Sequence, residues 1–164
     1  MILIVMGVSG AGKSTIAEAL VKATGWQFAE GDDYHSEANR KKMHSGTPLT
    51  DEDRAPWLAS LHEVLQGWAQ RGESGILTCS ALKQAYRDAL AKNLPEGGYR
   101  FVLLDVPRAE LQKRLEHRAG HFMSPQLLDS QLATLEEPKD ALRIQADGSP
   151  DEIAGKILAQ IRSL

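Results

Sequence analysis

Cysteine occurs once in this chain, at Cys79, which excludes an intramolecular disulfide and a cysteine-based metal cluster within one chain; the residue is expected simply to be buried. No apolar run approaches the roughly 18 residues that a bilayer crossing takes. A glycine-rich stretch already begins at Gly7, which leaves no room ahead of it for a signal peptide, so the cytoplasm is the expected location. Neither sign of charge dominates. A net charge of −3 and a pI near 5.9 give no reason to expect nucleic acid or an anionic membrane as partner, and a small metabolite is easier to accommodate. Internal repeats, low-complexity tracts and long linkers are missing as well. At 164 residues, with 42% hydrophobic and 25% charged content, the chain suits one domain, residues 1–164, with one substantial core.

What the sequence does hold is GVSGAGKS, residues 7–14, directly behind the apolar run ILIVM and ahead of the helix-like TIAEALVKA. Glycines accept backbone angles that a β-carbon forbids, so such a loop can turn several N–H groups inward around one anion. The spacing G-x-x-x-x-G-K-[ST] adds Lys13, whose ammonium can reach the β- and γ-phosphates, and Ser14, whose hydroxyl can ligate magnesium, while the following helix points its positive end at the ligand. Gly7, Val8, Ser9, Gly10, Ala11, Gly12, Lys13, Ser14 and Thr15 are therefore the expected contacts to a nucleoside triphosphate.

Beyond the first helix, WQFAE reads as a short second strand that ends in GDDYH, a polar cluster of loop character. Asp51, Glu52 and Asp53 load a helix N-terminus. Trp57, Leu58, Leu61, Val64, Leu65 and Trp68 then recur at helical spacing, a pattern of core packing rather than of an aromatic ligand box. GILTCS is a third strand, and ALKQAYRDALAK a helix buried through Leu82, Tyr86, Ala89 and Leu90. FVLLDV is a fourth strand, followed by a helix from Pro107 that carries Leu111 and Leu115. Ser124-Pro125 and Ser149-Pro150 each combine a capping serine with a proline at the first helical position, so two more helices should start there. ALRIQA between them is a weaker fifth strand, and the last helix packs through Ile153, Ile157, Leu158 and Ile161. Alternating helices and apolar strands imply an α/β fold with a parallel sheet covered on both faces and ligands at the strand C-termini.

In such a sheet, a carboxylate of GDDYH can stand near the transferred phosphate. Asp32 is the first candidate to accept a hydroxyl proton, with Glu30 and Asp33 in competition; neighbouring acids also fit a plain solvated turn. His35 reads more readily as a hydrogen-bonded residue than as a metal ligand. Arg54, the pair Lys83 and Arg87, and the pair Arg114 and Arg118 offer positive charge, the pairs at i, i+4, although cations on helix faces are commonly only solvated. RAGHFMSP interrupts two helices without forming a strand and reads as a cover, roughly residues 116–126, able to exclude water from a phosphoryl transfer.

Taken together, MGVSGAGKS, EGDDYHSEANRKKMHSGTPLTDEDRAPWL, CSALKQAYRD, RLEHRAGHFM and LLDSQLATLEEP, spread over residues 6–138, resemble the gluconate kinases, a branch of the P-loop kinases related to shikimate and nucleoside monophosphate kinases. The resemblance implies transfer of the ATP γ-phosphate to the 6-hydroxyl of D-gluconate, a magnesium requirement, a three-layer α/β/α fold with a five-stranded parallel sheet and small lid, and a homodimer. By position it gives Lys13 and Ser14 to phosphate and magnesium, and Asp32 to the acid that orients or deprotonates the hydroxyl. His35, Arg54, Lys83 and Arg87 fall to the sugar acid, and Arg114, Arg118 and His121 to the lid and its surroundings, with Arg118 also on the nucleotide. Asp147, Gly148, Ser149 and Pro150 fall to the adenine pocket. Two positions depart from the family pattern. Glu30 stands where Asp is common, which touches the magnesium assignment, and Ala11 replaces a frequent Ser at a position that works through its backbone.

A regulatory GTPase would need N-K-x-D and D-x-x-G, and neither occurs. A motor or transporter ATPase would end an apolar strand in a magnesium-binding Asp; GILTCS has none, although FVLLDV offers Asp105. A shikimate or nucleoside monophosphate kinase would share the loop, lid and arginines, and only the middle segments separate it from a gluconate kinase.

Overall fold

The computed structural model describes residues 1–117 and 125–163. Its sheet has five parallel strands, β1 (Ile2–Met6), β2 (Gln27–Glu30), β3 (Gly75–Thr78), β4 (Tyr99–Asp105) and β5 (Leu142–Gln145), in the order β2-β3-β1-β4-β5. Every residue of β1 and β3 is buried, because each strand has a neighbour on both sides and helices on both faces. Along β1 the side chains alternate between two cores. Leu3 and Val5 pack with α1 (Lys13–Thr24) and α7 (Pro150–Arg162), while Ile2, Ile4 and Met6 pack with α3 (Asp51–Gln70) and α4 (Gln84–Ala91). The remaining helices are α2 (Glu37–His44), α5 (Arg108–Glu116) and α6 (Pro125–Thr134).

The fold matches the expected strand–helix alternation, with local differences that have physical reasons. The outer strands β2 and β5 are not continuous apolar runs: Gln27, Phe28, Arg143 and Gln145 are exposed, since an edge strand has water along one side. GDDYH is not a loop but a 3-10 turn over Gly31–Tyr34, whose partners are described below. The helix expected from residue 81 begins only at Gln84, and Ala89 faces solvent rather than the core. Val64 is half-buried, whereas Trp57, Leu58, Leu61, Leu65 and Trp68 form the buried stripe as expected.

Helix α3 starts with a reciprocal cap. The Thr50 hydroxyl accepts from the Asp53 N–H at 3.1 Å and the Asp53 carboxylate accepts from the Thr50 N–H at 2.9 Å. The Lys42 ammonium, 2.8 Å away, and the Thr50 N–H hold the Asp53 carboxyl down at about 2.

Helix α3 lies so close to β3 that a β-carbon on Gly75 would stand 2.4 Å from the Trp68 ring. Gly75→Ala should therefore overpack this contact and lower stability by about 1–3 kcal/mol in urea unfolding; an unchanged midpoint would show that the strand and helix are free to separate.

Candidate active site

Strand β1 delivers the glycine-rich loop, and Gly12, at φ 95°, ends it as the N-cap of α1 with no side-chain cap and no acid in the helix's first turn. A left-handed residue here suits glycine, and the uncapped N–H groups face the position an anion would take. Lys13 folds back over the loop, its ammonium donating to the carbonyls of Gly7 at 2.9 Å and Val8 at 3.1 Å. Beside the loop lies a cavity of about 430 Å³ lined by Gly10, Gly12, Thr15, Arg114, Gly148 and Pro150 among others. Arg114 reaches it from α5, donating to the Gly10 carbonyl at 3.0 Å and to Glu110 at 3.3 Å. Of the turn 147–150, Gly148 and Pro150 line this cavity, whereas Asp147 stands 3.8 Å from Lys156.

The strand ends next to the loop converge on one carboxylate. Register places Glu30 of β2 beside Thr78 of β3. The Thr78 hydroxyl donates to Glu30 Oε1 at 2.6 Å and the Ser14 hydroxyl to Glu30 Oε2 at 2.7 Å, while the Gly31 N–H donates to Thr78 Oγ1 at 3.1 Å. Two hydroxyls and a carboxylate make a set of hard oxygen donors of the kind magnesium takes, so the residues present fit that ion. Glu30 and Asp32 thus have separate places: Glu30 closes on Ser14, and Asp32 lies two residues on, exposed on the 3-10 turn. Asp33 is exposed too, and its carbonyl accepts from Arg40 at 2.9 Å.

The 3-10 turn is held from behind by core residues. Trp57 Nε1 donates to the Gly31 carbonyl at 2.7 Å, and its indole stacks on His35 with centroids 4.1 Å apart. His35 is only 8% exposed, and Nδ2 of Asn39 lies 3.3 Å from its Nδ1 while donating to the Asp53 carbonyl at 2.9 Å.

The N-terminal ends of α3 and α4 form a polar cluster. Arg54 donates to the Leu49 carbonyl at 2.6 Å and to the Tyr86 hydroxyl at 3.2 Å, and Tyr86 donates to Asp51 at 2.5 Å. Lys83 lies 3.4 Å from Asp51, and both cations sit over the Tyr86 ring, at 5.3 and 5.6 Å. Burial pushes the Cys79 thiol up to about 12, and the charges that act on it are Lys13, Asp32 and Arg54.

Arg87 does not share a helix face with Lys83. Lys83 precedes α4 in extended backbone, and Arg87 is 2% exposed, its guanidinium donating to the carbonyls of Ala81 at 2.6 Å and Glu136 at 2.8 Å. Arg118 and His121 lie outside the described residues, as does most of the segment expected as a lid. Three participants escaped the sequence reading. Thr78 ends β3 with a hydroxyl that meets Glu30, where the sequence pattern points only to an Asp. His117 lines the cavity beside Arg114, and Gln131 of α6 accepts from the Ser9 N–H at 2.8 Å, turning that N–H toward α6.

Burial, opposed by Asp32 and aided by Arg40 and Arg54, lowers the His35 pKa below 6.5. The folded state therefore favours the neutral ring, and its contribution is complete above pH 6.5 and lost as pH falls through the folded value. Thermal midpoints should decline from pH 7 toward pH 5.5, and less steeply in His35→Phe, which keeps the stack on Trp57; parallel profiles for the two proteins would contradict this.

A family model described as an AAA domain matches residues 2–138. A gluconokinase of Gluconobacter oxydans is 46% identical over 165 residues, covering 98% of this chain and 91% of that protein. A crystal structure of a gluconokinase from Sinorhizobium meliloti superposes with a TM-score of 0.87 at 44% identity, covering 98% of this chain and 91% of the other. A shikimate kinase from Aquifex aeolicus, with a TM-score of 0.61 at 18% identity over 99% of this chain and 97% of its own, shares the fold alone. Identity at this level over nearly the full length of both proteins places the chain in the gluconokinase family of P-loop kinases.

Proposed function

We propose that the protein is an ATP-dependent gluconokinase that transfers the γ-phosphoryl group of ATP to the 6-hydroxyl of D-gluconate, giving 6-phospho-D-gluconate and ADP. The observation that carries this reading is the meeting of the phosphate loop, the Ser14–Glu30–Thr78 oxygens and the Asp32 turn at neighbouring strand ends. Phosphoryl transfer asks a protein chiefly for alignment and charge neutralisation. The N–H groups of the loop and of the first turn of α1 cradle the triphosphate, and Lys13 exchanges its carbonyl partners for the β- and γ-oxygens. Ser14 would hold magnesium with Glu30 and Thr78 around it, and the bound ion supplies positive charge to the phosphate oxygens. Gly148 and Pro150, with Asp147 beside them, border the adenosine, and Arg114 flanks the phosphates from α5.

On the acceptor side, Arg54 and Lys83 attract the sugar-acid carboxylate, and His35 helps to shape the wall behind it. Asp32 takes the proton of the 6-hydroxyl as the O6–P bond forms and the bond to the β-phosphate oxygen breaks. Arg118 and His121, within a lid over residues 116–126, would cover the reacting groups and exclude water. The reading extends to a homodimer in the cytoplasm with no call on nucleic acid or membrane. Among the described residues no helix is long and apolar enough to cross a bilayer.

A coupled ADP-release assay with gluconate, shikimate, nucleoside monophosphates or buffer alone tests the substrate. ADP release that depends on gluconate and magnesium is expected; activity confined to shikimate, or release with no acceptor dependence, would overturn the proposal. Asp32→Asn should keep ATP binding and lower kcat by about 10²–10⁴-fold, and near-normal turnover would remove Asp32 from its role.

A further inference from the structure

We infer that Arg87 and Glu136 are positioning residues that lock the turn between β3 and α4 and so set Lys83 at the acceptor side. The inference rests on the reading that Lys83 faces the sugar acid, and it gives Arg87 a place one step behind the substrate rather than on it.

The turn spans residues 79–83 and carries a local conflict. Ala81 adopts φ 48°, a left-handed conformation that a β-carbon disfavours, and it is only 1% exposed. Such a conformation persists when its surroundings over-determine it. Here they do so through a closed set of hydrogen bonds. Arg87 Nη1 donates to the Ala81 carbonyl at 2.6 Å, and the Glu136 N–H donates to the carbonyl of Leu82 at 2.8 Å. The N-cap Lys83 has no side-chain cap of its own; the Glu136 carboxylate supplies one from outside the helix, accepting from the Gln84 N–H at 2.7 Å. Arg87 Nη2 closes the set with the Glu136 carbonyl at 2.8 Å and Gln84 Oε1 at 3.2 Å.

At its other end the turn is tied to the nucleotide side, since the Cys79 N–H donates to the Val5 carbonyl at 3.1 Å and the Gly7 N–H to that of Ser80 at 3.3 Å. The lock therefore governs the part of the turn that leads to Lys83, while β1 fixes the part next to the phosphate loop. Arg87 is buried with its fork spent on carbonyls and an amide, a geometry suited to holding backbone in place. Glu136 is exposed, so truncating it leaves the core untouched.

Steady-state kinetics and amide hydrogen exchange on Arg87→Lys, Glu136→Ala, Glu136→Gln and the double variant Arg87→Lys/Glu136→Ala test the inference. Arg87→Lys and Glu136→Ala should each raise the KM for gluconate about tenfold, leave the KM for ATP within about twofold, and speed exchange over residues 80–84. Glu136→Gln, which keeps an acceptor for the Gln84 N–H, should restore both readouts. The double variant should be little worse than the poorer single one, because one lock is broken either way. If Arg87 instead touches the substrate, Arg87→Lys alone would raise the gluconate KM, Glu136→Ala would match the parent in KM and exchange, and the inference would fall. Should the parent protein not accept gluconate, the assay reveals that before any variant is made. Exchange then decides on its own: unchanged rates over 80–84 in both single variants overturn the lock.

Discussion

One carboxylate joins the pieces of this site. Glu30 accepts hydroxyl hydrogen bonds from Ser14 at the start of α1 and from Thr78 at the end of β3, while itself ending β2. Parallel pairing puts Glu30 and Thr78 at the same level of the sheet. The phosphate loop therefore cannot shift relative to β2 and β3 without breaking charge-assisted bonds, which are among the stronger ones available to a protein. The two carboxylate oxygens of Glu30 thereby bridge two strands and a helix.

The proposed acceptor side is built by the same economy, with core residues holding the backbone of the 3-10 turn. Trp57 belongs to the apolar stripe of α3, yet its indole N–H fixes the carbonyl of Gly31 and its face supports His35. The turn that carries Asp32 thus depends on the packing of α3. Arg54 and Lys83 add positive charge from the starts of α3 and α4, each tied to Asp51 or Tyr86, so that under the proposed function a sugar acid would meet cations already held in place.

Much of this was legible in the residues alone, and the rest was not for physical reasons. The apolar run ahead of GVSGAGKS, the helical stripe of Trp57 to Trp68 and the Ser-Pro start at 149–150 are local signals, and local backbone preference decides them. Edge strands were harder, because pairing rather than hydropathy makes Gln27 and Arg143 extended. Lys83 and Arg87 misled because i, i+4 spacing implies a shared face only when both residues are helical, and the helix starts between them. Thr78, Gln131 and Glu136 act through contacts to residues 47, 122 and 52 positions away, a separation at which spacing carries no signal.

The central claim is that one hollow at the ends of β1, β2 and β3 receives both the triphosphate tail and the sugar acid, so that the phosphoryl group passes directly from one to the other. The stereochemical course of transfer from ATP made chiral at the γ-phosphorus with oxygen isotopes tests it most directly. Direct in-line transfer predicts inversion of configuration at phosphorus in 6-phosphogluconate; retention would reveal a phosphorylated protein intermediate and contradict the account.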